Sequence, residues 1–65
     1  MTDEVKRWIR EHVEPVDRRV GAKASRVLAW RAARAAGVEA ARTPFCRYLR
    51  FRFPQQRVKV VEDGV

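Results

Sequence analysis

Residues 43–53, with the sequence TPFCRYLRFRF, decide how this chain folds. The stretch contains three arginines, four aromatic residues and no acid. Phe45 and Leu49 are four residues apart, as on one side of a helix, whereas residues 50–53 alternate between arginine and phenylalanine, as in a strand. Internal periodicity alone therefore allows a helix or a strand.

The two ends of the stretch favour the helix. Thr43 is a good N-cap, and Pro44 suits the first helical turn because its missing N–H would be unpaired there. Pro54 cannot continue a helix. We therefore predict a helix from Thr43 to Phe53, with the alternating tail as its last turn.

This helix has an apolar side and a basic side. We expect Phe45, Leu49 and Phe53 to be buried, and Cys46 to be a small buried hydrophobe, since no catalytic partner accompanies it. The opposite side presents Arg47, Arg50, Tyr48 at the boundary, and Phe51.

Two further helices are predicted upstream. The first runs from about Asp3 to Val13, with Thr2 as its N-cap, and ends at Glu14-Pro15. The second is rich in alanine, runs from about Ala22 to Ala36 and stops at Gly37. Its expected buried face holds Ala24, Val27, Leu28 and the stem of Arg31, with Trp30 at the rim of the core.

A single strand is predicted near the C-terminus. Residues 57–61, RVKVV, alternate basic and β-branched side chains, as in a half-buried strand. Asp63-Gly64 is a hairpin-turn dipeptide, but only Val65 follows it. We therefore expect strand 57–61 to pair with residues 18–20. We further expect it to pair with a second copy of the chain or with a partner protein.

The charge distribution points to a polyanionic partner. The formal net charge is +7, and residues 18–59 contain twelve bases and one acid, Glu39, which gives this block a net charge of +11. Such a block repels itself unless a polyanion or an acidic partner belongs to its working state.

Several function classes are not expected. With one cysteine and one histidine there is no internal disulfide and no zinc cluster, and no phosphate loop or catalytic triad occurs. We expect no enzyme activity, cofactor, metal or small-molecule substrate. The longest apolar stretch, Val27 to Val38, is interrupted by two arginines, so no membrane span is expected and the predicted location is the cytoplasm, at the nucleoid.

The order helix, strand, helix, turn, helix, strand is that of a winged helix-turn-helix. We predict one mainly α domain over residues 1–65, with three helices and a minimal β-wing that lacks its second strand. Helix 43–53 would enter the major groove of double-stranded DNA. The predicted nucleic-acid-binding residues are Lys23, Arg26, Arg42, Thr43, Arg47, Tyr48, Arg50, Arg52, Arg57 and Lys59.

Two segments also resemble a known family. Residues 20–37, VGAKASRVLAWRAARAAG, and residues 43–49, TPFCRYL, are similar to the second and third helices of the small winged-helix domain at the C-terminus of phage and plasmid primase-helicases, which also occurs as a stand-alone protein. The tyrosines and tryptophan usual on the second helix are replaced by Val27, Trp30 and Ala33. The resemblance implies nucleic-acid binding without chemistry.

The leading hypothesis is a phage-type or mobile-element DNA-binding protein: a transcriptional regulator, an excisionase-like factor or a replication accessory. One alternative is a protein-binding module of phage type that inhibits or adapts a host protein through its basic face or strand 57–61. Another is a protein that binds structured RNA.

Overall fold

Residues 1–61 of the 65-residue chain are described by the structure, which is a computed structural model. In this part of the chain, three helices and two short strands follow one another along the sequence. Their bounds are α1 Asp3–His12, β1 Val13–Val16, α2 Ala22–Ala35, α3 Arg42–Arg52 and β2 Arg57–Val60. The fold is mainly helical with a small antiparallel sheet.

Helix α1 begins where its local signals predict. The Thr2 hydroxyl accepts a hydrogen bond from the Val5 N–H at 3.3 Å, which satisfies one of the free amides at the helix start. Val5 and Ile9 are four residues apart and both are buried. The helix ends at His12, one residue before the predicted end, because Val13 is already extended and opens β1.

Helix α2 ends at the predicted glycine. Gly37 has a φ of +88°, a left-handed conformation in which a Cβ would be strained. Its N–H donates to the Arg34 carbonyl at 3.0 Å, and the Val38 N–H donates to the Ala33 carbonyl at 2.9 Å. These two bonds form a Schellman motif, and the buried Val38 side chain joins the same core as Ala33. The turn towards α3 is therefore tightly defined.

Helix α3 is confirmed within one residue at each end, but Thr43 is not its cap. The N-cap is Ala41, which provides no side-chain hydrogen bond. The Ala41 carbonyl accepts a hydrogen bond from the Phe45 N–H at 3.2 Å, so helical bonding starts two residues before the predicted cap. Pro44 still lies in the first turn, where its missing N–H costs nothing.

The two strands pair with each other, which corrects the predicted strand partner. β1 and β2 are antiparallel, with Val13 opposite Val60. The predicted partner, residues 18–20, lies outside the sheet and makes one backbone hydrogen bond to β2, in which the Arg57 N–H donates to the Arg18 carbonyl at 2.6 Å.

β1 contains a proline, Pro15, which the sheet accommodates. Pro15 lies opposite Val58, whose N–H donates to the Ser25 hydroxyl on α2 and not across the sheet. The proline's missing N–H therefore removes no bond between the strands. β1 supplies a partner strand for β2 within the chain, and pairing of residues 57–61 with a second copy or a partner protein stays a prediction. The Asp63-Gly64 turn lies outside the described residues.

The core forms between α1, α3, the sheet and the inner face of α2. Ile9, Phe45 and Leu49 are its largest fully buried side chains. Trp8 packs against Phe45, with ring centroids 6.4 Å apart. Phe53 is half-buried at the C-terminal cap of α3 and lies at the edge of this core, not inside it as predicted.

The inner face of α2 differs from the predicted one. Ser25, Ala29 and Ala33 are buried, and these small side chains let β2 and α3 approach the helix closely. Trp30 is half-buried at the rim, as predicted, and its ring N–H donates to the Ala40 carbonyl at 2.7 Å. The residues expected inside are exposed or only half-buried: Ala24, Val27, Leu28 and Arg31.

Candidate nucleic-acid interface

A groove of about 560 Å³ runs between α2 and α3, and we call it the basic groove. Five of its eight lining side chains are cationic, and none of these eight, all within the described part of the chain, is acidic. The lining residues are Lys23, Arg26 and Val27 from α2, and Arg42, Thr43, Cys46, Arg47 and Arg50 from α3.

Burial on the other side of α3 orients the cations of the groove. Phe45 and Leu49 are completely buried, which sets the rotation of the helix about its axis. Thr43, Arg47 and Arg50 follow one another at intervals of three or four residues, so they share one side of the helix, and all three are exposed. The helix therefore turns a continuous row of polar and cationic groups towards solvent.

Arg26 is the least exposed cation of the basic groove. The residue is half-buried, and its Nε is buried with no hydrogen-bond partner among the described residues. Leaving a buried donor unpaired costs about 1 to 3 kcal/mol. An anionic ligand that offers an acceptor to this N–H would remove that cost.

Cys46 lies in the wall of the groove and is half-buried, not fully buried as predicted. Burial raises the pKa of its thiol, and the positive charges of Arg26 and Arg42 oppose this shift. A thiol with a raised pKa is a poor nucleophile at neutral pH, which agrees with the interpretation of Cys46 as a structural residue.

Tyr48 lies on the other side of Arg47, away from the basic groove. It lines a second hollow of about 390 Å³, on the side of α3 that faces α1. We call this hollow the aromatic shelf; Met1, Lys6, Pro44, Arg47, Tyr48 and Phe51 line it. The Lys6 Nζ lies 5.6 Å from the centre of the Tyr48 ring, within range of a cation–π contact. Arg47 borders both hollows.

Arg52 and Arg57 do not line the basic groove. The Arg52 guanidinium lies 5.2 Å from the centre of the Phe53 ring at the end of α3. The Arg57 Nη1 lies next to Gly21 at the start of α2, 3.8 Å from where a Cβ of that glycine would be. Both residues are exposed, so a long polyanion could reach them but a ligand confined to the groove could not.

Lys59 is exposed on β2, away from the basic groove. Its Nζ lies 3.8 Å from the Glu14 Oε2 across the sheet, and the two side chains are 61% and 56% exposed. A pair this exposed contributes about 0 to 1 kcal/mol. A phosphate could therefore replace Glu14 at little cost.

Six of the ten predicted interface residues meet in the basic groove: Lys23, Arg26, Arg42, Thr43, Arg47 and Arg50. Val27 and Cys46 also line the groove, although both were expected to be buried in the core. The spacing of three and four residues that relates Lys23, Arg26 and Val27 could have placed Val27 next to the cations.

Comparisons with known proteins add no assignment. No protein-family model, curated protein or solved structure matches the chain. The resemblance to the primase-helicase winged-helix domain therefore stays a prediction.

Within residues 1–61, no helix has the length and hydropathy required to cross a bilayer, and no group of three His, Cys, Asp or Glu side chains could hold a metal ion.

Proposed function

We propose that this protein binds double-stranded DNA, with α3 in the major groove and α2 across the phosphate backbone. The observation that carries the proposal is the basic groove: five cations from two adjacent helices, with no acid among the lining residues that the structure describes. A basic helix pair of this kind is the electrostatic footprint of nucleic-acid binders.

The dimensions of α3 suit this role. Its 11 residues span about 16 Å at 1.5 Å per residue. With its side chains, a helix is about 10–12 Å across, close to the 12 Å width of the B-DNA major groove. Arg47 and Arg50, both exposed on the outward side, would reach guanine edges or phosphates. Lys23, in the first turn of α2, would bind the backbone.

The order of elements supports assignment to the winged helix-turn-helix class. In this proposal α2 and α3 are the helix-turn-helix, and β1 with β2 is a minimal wing. Arg57 and Lys59 on β2 follow α3 directly in the chain and would meet the phosphates that flank the groove. The wing contact would be weak, because Lys59 must exchange Glu14 for a phosphate.

Charge favours a nucleic-acid partner, and groove shape favours duplex DNA over duplex RNA. Residues 22–53, which include both helices of the proposed motif, contain eight bases and one acid. The major groove of A-form RNA is too deep and narrow for a side chain on a helix to reach the bases. We therefore propose a DNA-binding transcriptional regulator, an excisionase-like factor or a replication accessory, in line with the nucleic-acid binding that the family resemblance implies.

Titration tests this proposal. Fluorescent duplex DNA, single-stranded DNA and duplex RNA of equal length are titrated with the protein at three salt concentrations. If each of the five groove cations neutralises one phosphate, a fourfold rise in salt lowers the affinity for duplex DNA roughly 500-fold. Equal affinity for all three nucleic acids, or an affinity for duplex DNA that salt leaves unchanged, would contradict the proposal.

A further inference from the structure

Phe51 is the one mostly exposed aromatic side chain in residues 1–61, with 80% of its surface in contact with solvent. It lies on the outward side of α3, four residues after Arg47, and lines the aromatic shelf beside Tyr48. No described residue covers it. An apolar ring held out from the same helix as the groove arginines would meet whatever these arginines bind.

The charges around the aromatic shelf limit what can cover it. Lys6 and Arg47 border the shelf, and none of its lining residues, all within residues 1–61, is acidic. A second copy docked through the same surface by two-fold symmetry would bring these cations towards their own equivalents. The shelf suits a partner that is apolar at the contact and anionic around it, and the bases and phosphates of a nucleic acid have this combination.

We infer that Phe51 contacts the 5-methyl group of a thymine in the major groove, one or two steps from the base pair that Arg47 contacts. The inference rests on the proposed function. In the major groove, apolar side chains contact the thymine methyl, and the arginine fork pairs with guanine.

The spacing of Phe51 and Arg47 predicts the spacing of their bases. Four residues rise about 6 Å along a helix, and successive base pairs lie about 3.4 Å apart. When α3 follows the groove, the two contacted base pairs are therefore one or two steps apart. The preferred site contains a thymine within that distance of a guanine.

Removal of the methyl group from the DNA tests the contact directly. Two duplexes repeat thymine-thymine-guanine on one strand and cytosine-adenine-adenine on the other, and the second duplex carries uracil at every thymine position. In this repeat every guanine has a thymine both one and two steps away on either side, so any binding register offers the predicted spacing. Affinities for both duplexes are measured by fluorescence anisotropy for the wild type, for Phe51→Ala and for Leu28→Ala. Leu28 is exposed on α2 outside the shelf, so it is a matched truncation.

The wild type and Leu28→Ala should bind the thymine duplex about fourfold more tightly than the uracil duplex, the factor expected for burying one methyl-sized group. Phe51→Ala should bind both duplexes equally. Equal binding of both duplexes by the wild type would overturn the inference and leave DNA binding intact. A methyl preference that persists in Phe51→Ala would also overturn it. Failure to bind either duplex would instead contradict the proposed function, and the inference with it.

Discussion

The Ser25 hydroxyl on α2 accepts a hydrogen bond from the Val58 N–H on β2 at 3.0 Å and donates one to the Ala22 carbonyl at 2.7 Å. Ser25 and Val58 are each only 4% exposed. One hydroxyl thus satisfies a buried backbone donor on the side of β2 that faces away from β1. It also anchors the sheet to the helix that contributes Lys23 and Arg26 to the basic groove.

We expect Ser25→Ala to lower the free energy of unfolding by about 1 to 3 kcal/mol, because it leaves the buried Val58 N–H without an acceptor. Urea denaturation followed by circular dichroism measures the change. Thr43→Ala is the control: it removes an exposed hydroxyl that does not cap α3 and should change stability by less than about 0.5 kcal/mol. Equal losses in both variants would show that the hydrogen bond between Ser25 and Val58 contributes no more to stability than an exposed hydroxyl does.

The inner face of α2 can be tested by adding volume. Ala33 is completely buried, so Ala33→Leu should destabilise the protein by about 1 to 3 kcal/mol through overpacking. Ala24→Leu adds the same atoms on the exposed face and should change stability by less than about 0.5 kcal/mol. Thermal and urea unfolding of the two variants give the comparison. The reverse order would mean that the face expected from the sequence is the buried one.

If α3 lies in the major groove, Arg47→Ala and Arg50→Ala should each weaken DNA binding by about 1 to 3 kcal/mol. A phosphate contact would appear as a similar loss on every sequence and a salt slope smaller by about one, whereas a base contact would appear as relaxed specificity at one position. Fluorescence anisotropy at several salt concentrations separates the two cases.

Arg31→Ala is the matched control for these substitutions. It removes the same charge from an exposed position on α2 that does not line the basic groove. We expect a much smaller loss of affinity than for Arg47→Ala. If all three variants lose the same amount, net charge alone accounts for binding, and the assignment of α3 to the major groove is wrong.

The Cys46 thiol should titrate at a higher pH in the folded protein than in the unfolded chain, because burial raises its pKa. The rate of iodoacetamide alkylation as a function of pH measures this, with the urea-unfolded chain as the reference. The raised pKa also makes stability depend on pH. The neutral thiol contributes fully to the free energy of unfolding at pH values below the pKa of the unfolded chain, and this contribution is lost as the pH rises through the pKa of the folded protein.

Arg26→Met should raise the pKa of Cys46 further, since the guanidinium charge opposes the effect of burial. Lys59→Met removes a cation from the sheet and is the control; it should leave the alkylation profile unchanged. An unchanged or lower pKa in Arg26→Met would show that the charge of Arg26 does not lower the pKa of the thiol.

Local signals were enough to locate all three helices. The Thr2 hydroxyl, the left-handed Gly37 and the missing N–H of Pro54 act on backbone groups within about one helical turn, so their effects can be predicted without knowing the rest of the fold. The helix ends consequently lie within one residue of the predicted ends. The one wrong cap is also a local error: the N-cap of α3 is Ala41, two residues before the predicted Thr43.

The inner face of α2 and the partner of β2 could not be predicted in this way. Ala24 and Leu28 are at least as apolar as Ala29 and Ala33, so the pattern of apolar residues does not choose between the two faces. The choice depends on how closely β2 and α3 approach α2, and on an acceptor for a backbone N–H 33 residues from Ser25.

For the candidate interface, helical spacing within residues 43–53 was enough to predict a basic third helix with Phe45 and Leu49 turned inward and Arg47 and Arg50 outward. Which other cations share the groove could not be predicted from either helix alone. Lys23 and Arg26 join it, whereas the predicted cations on β2 lie elsewhere. The physical reason is that convergence of side chains from α2 and α3 depends on how two segments separated in the chain pack against each other, and no periodicity within one segment encodes that contact.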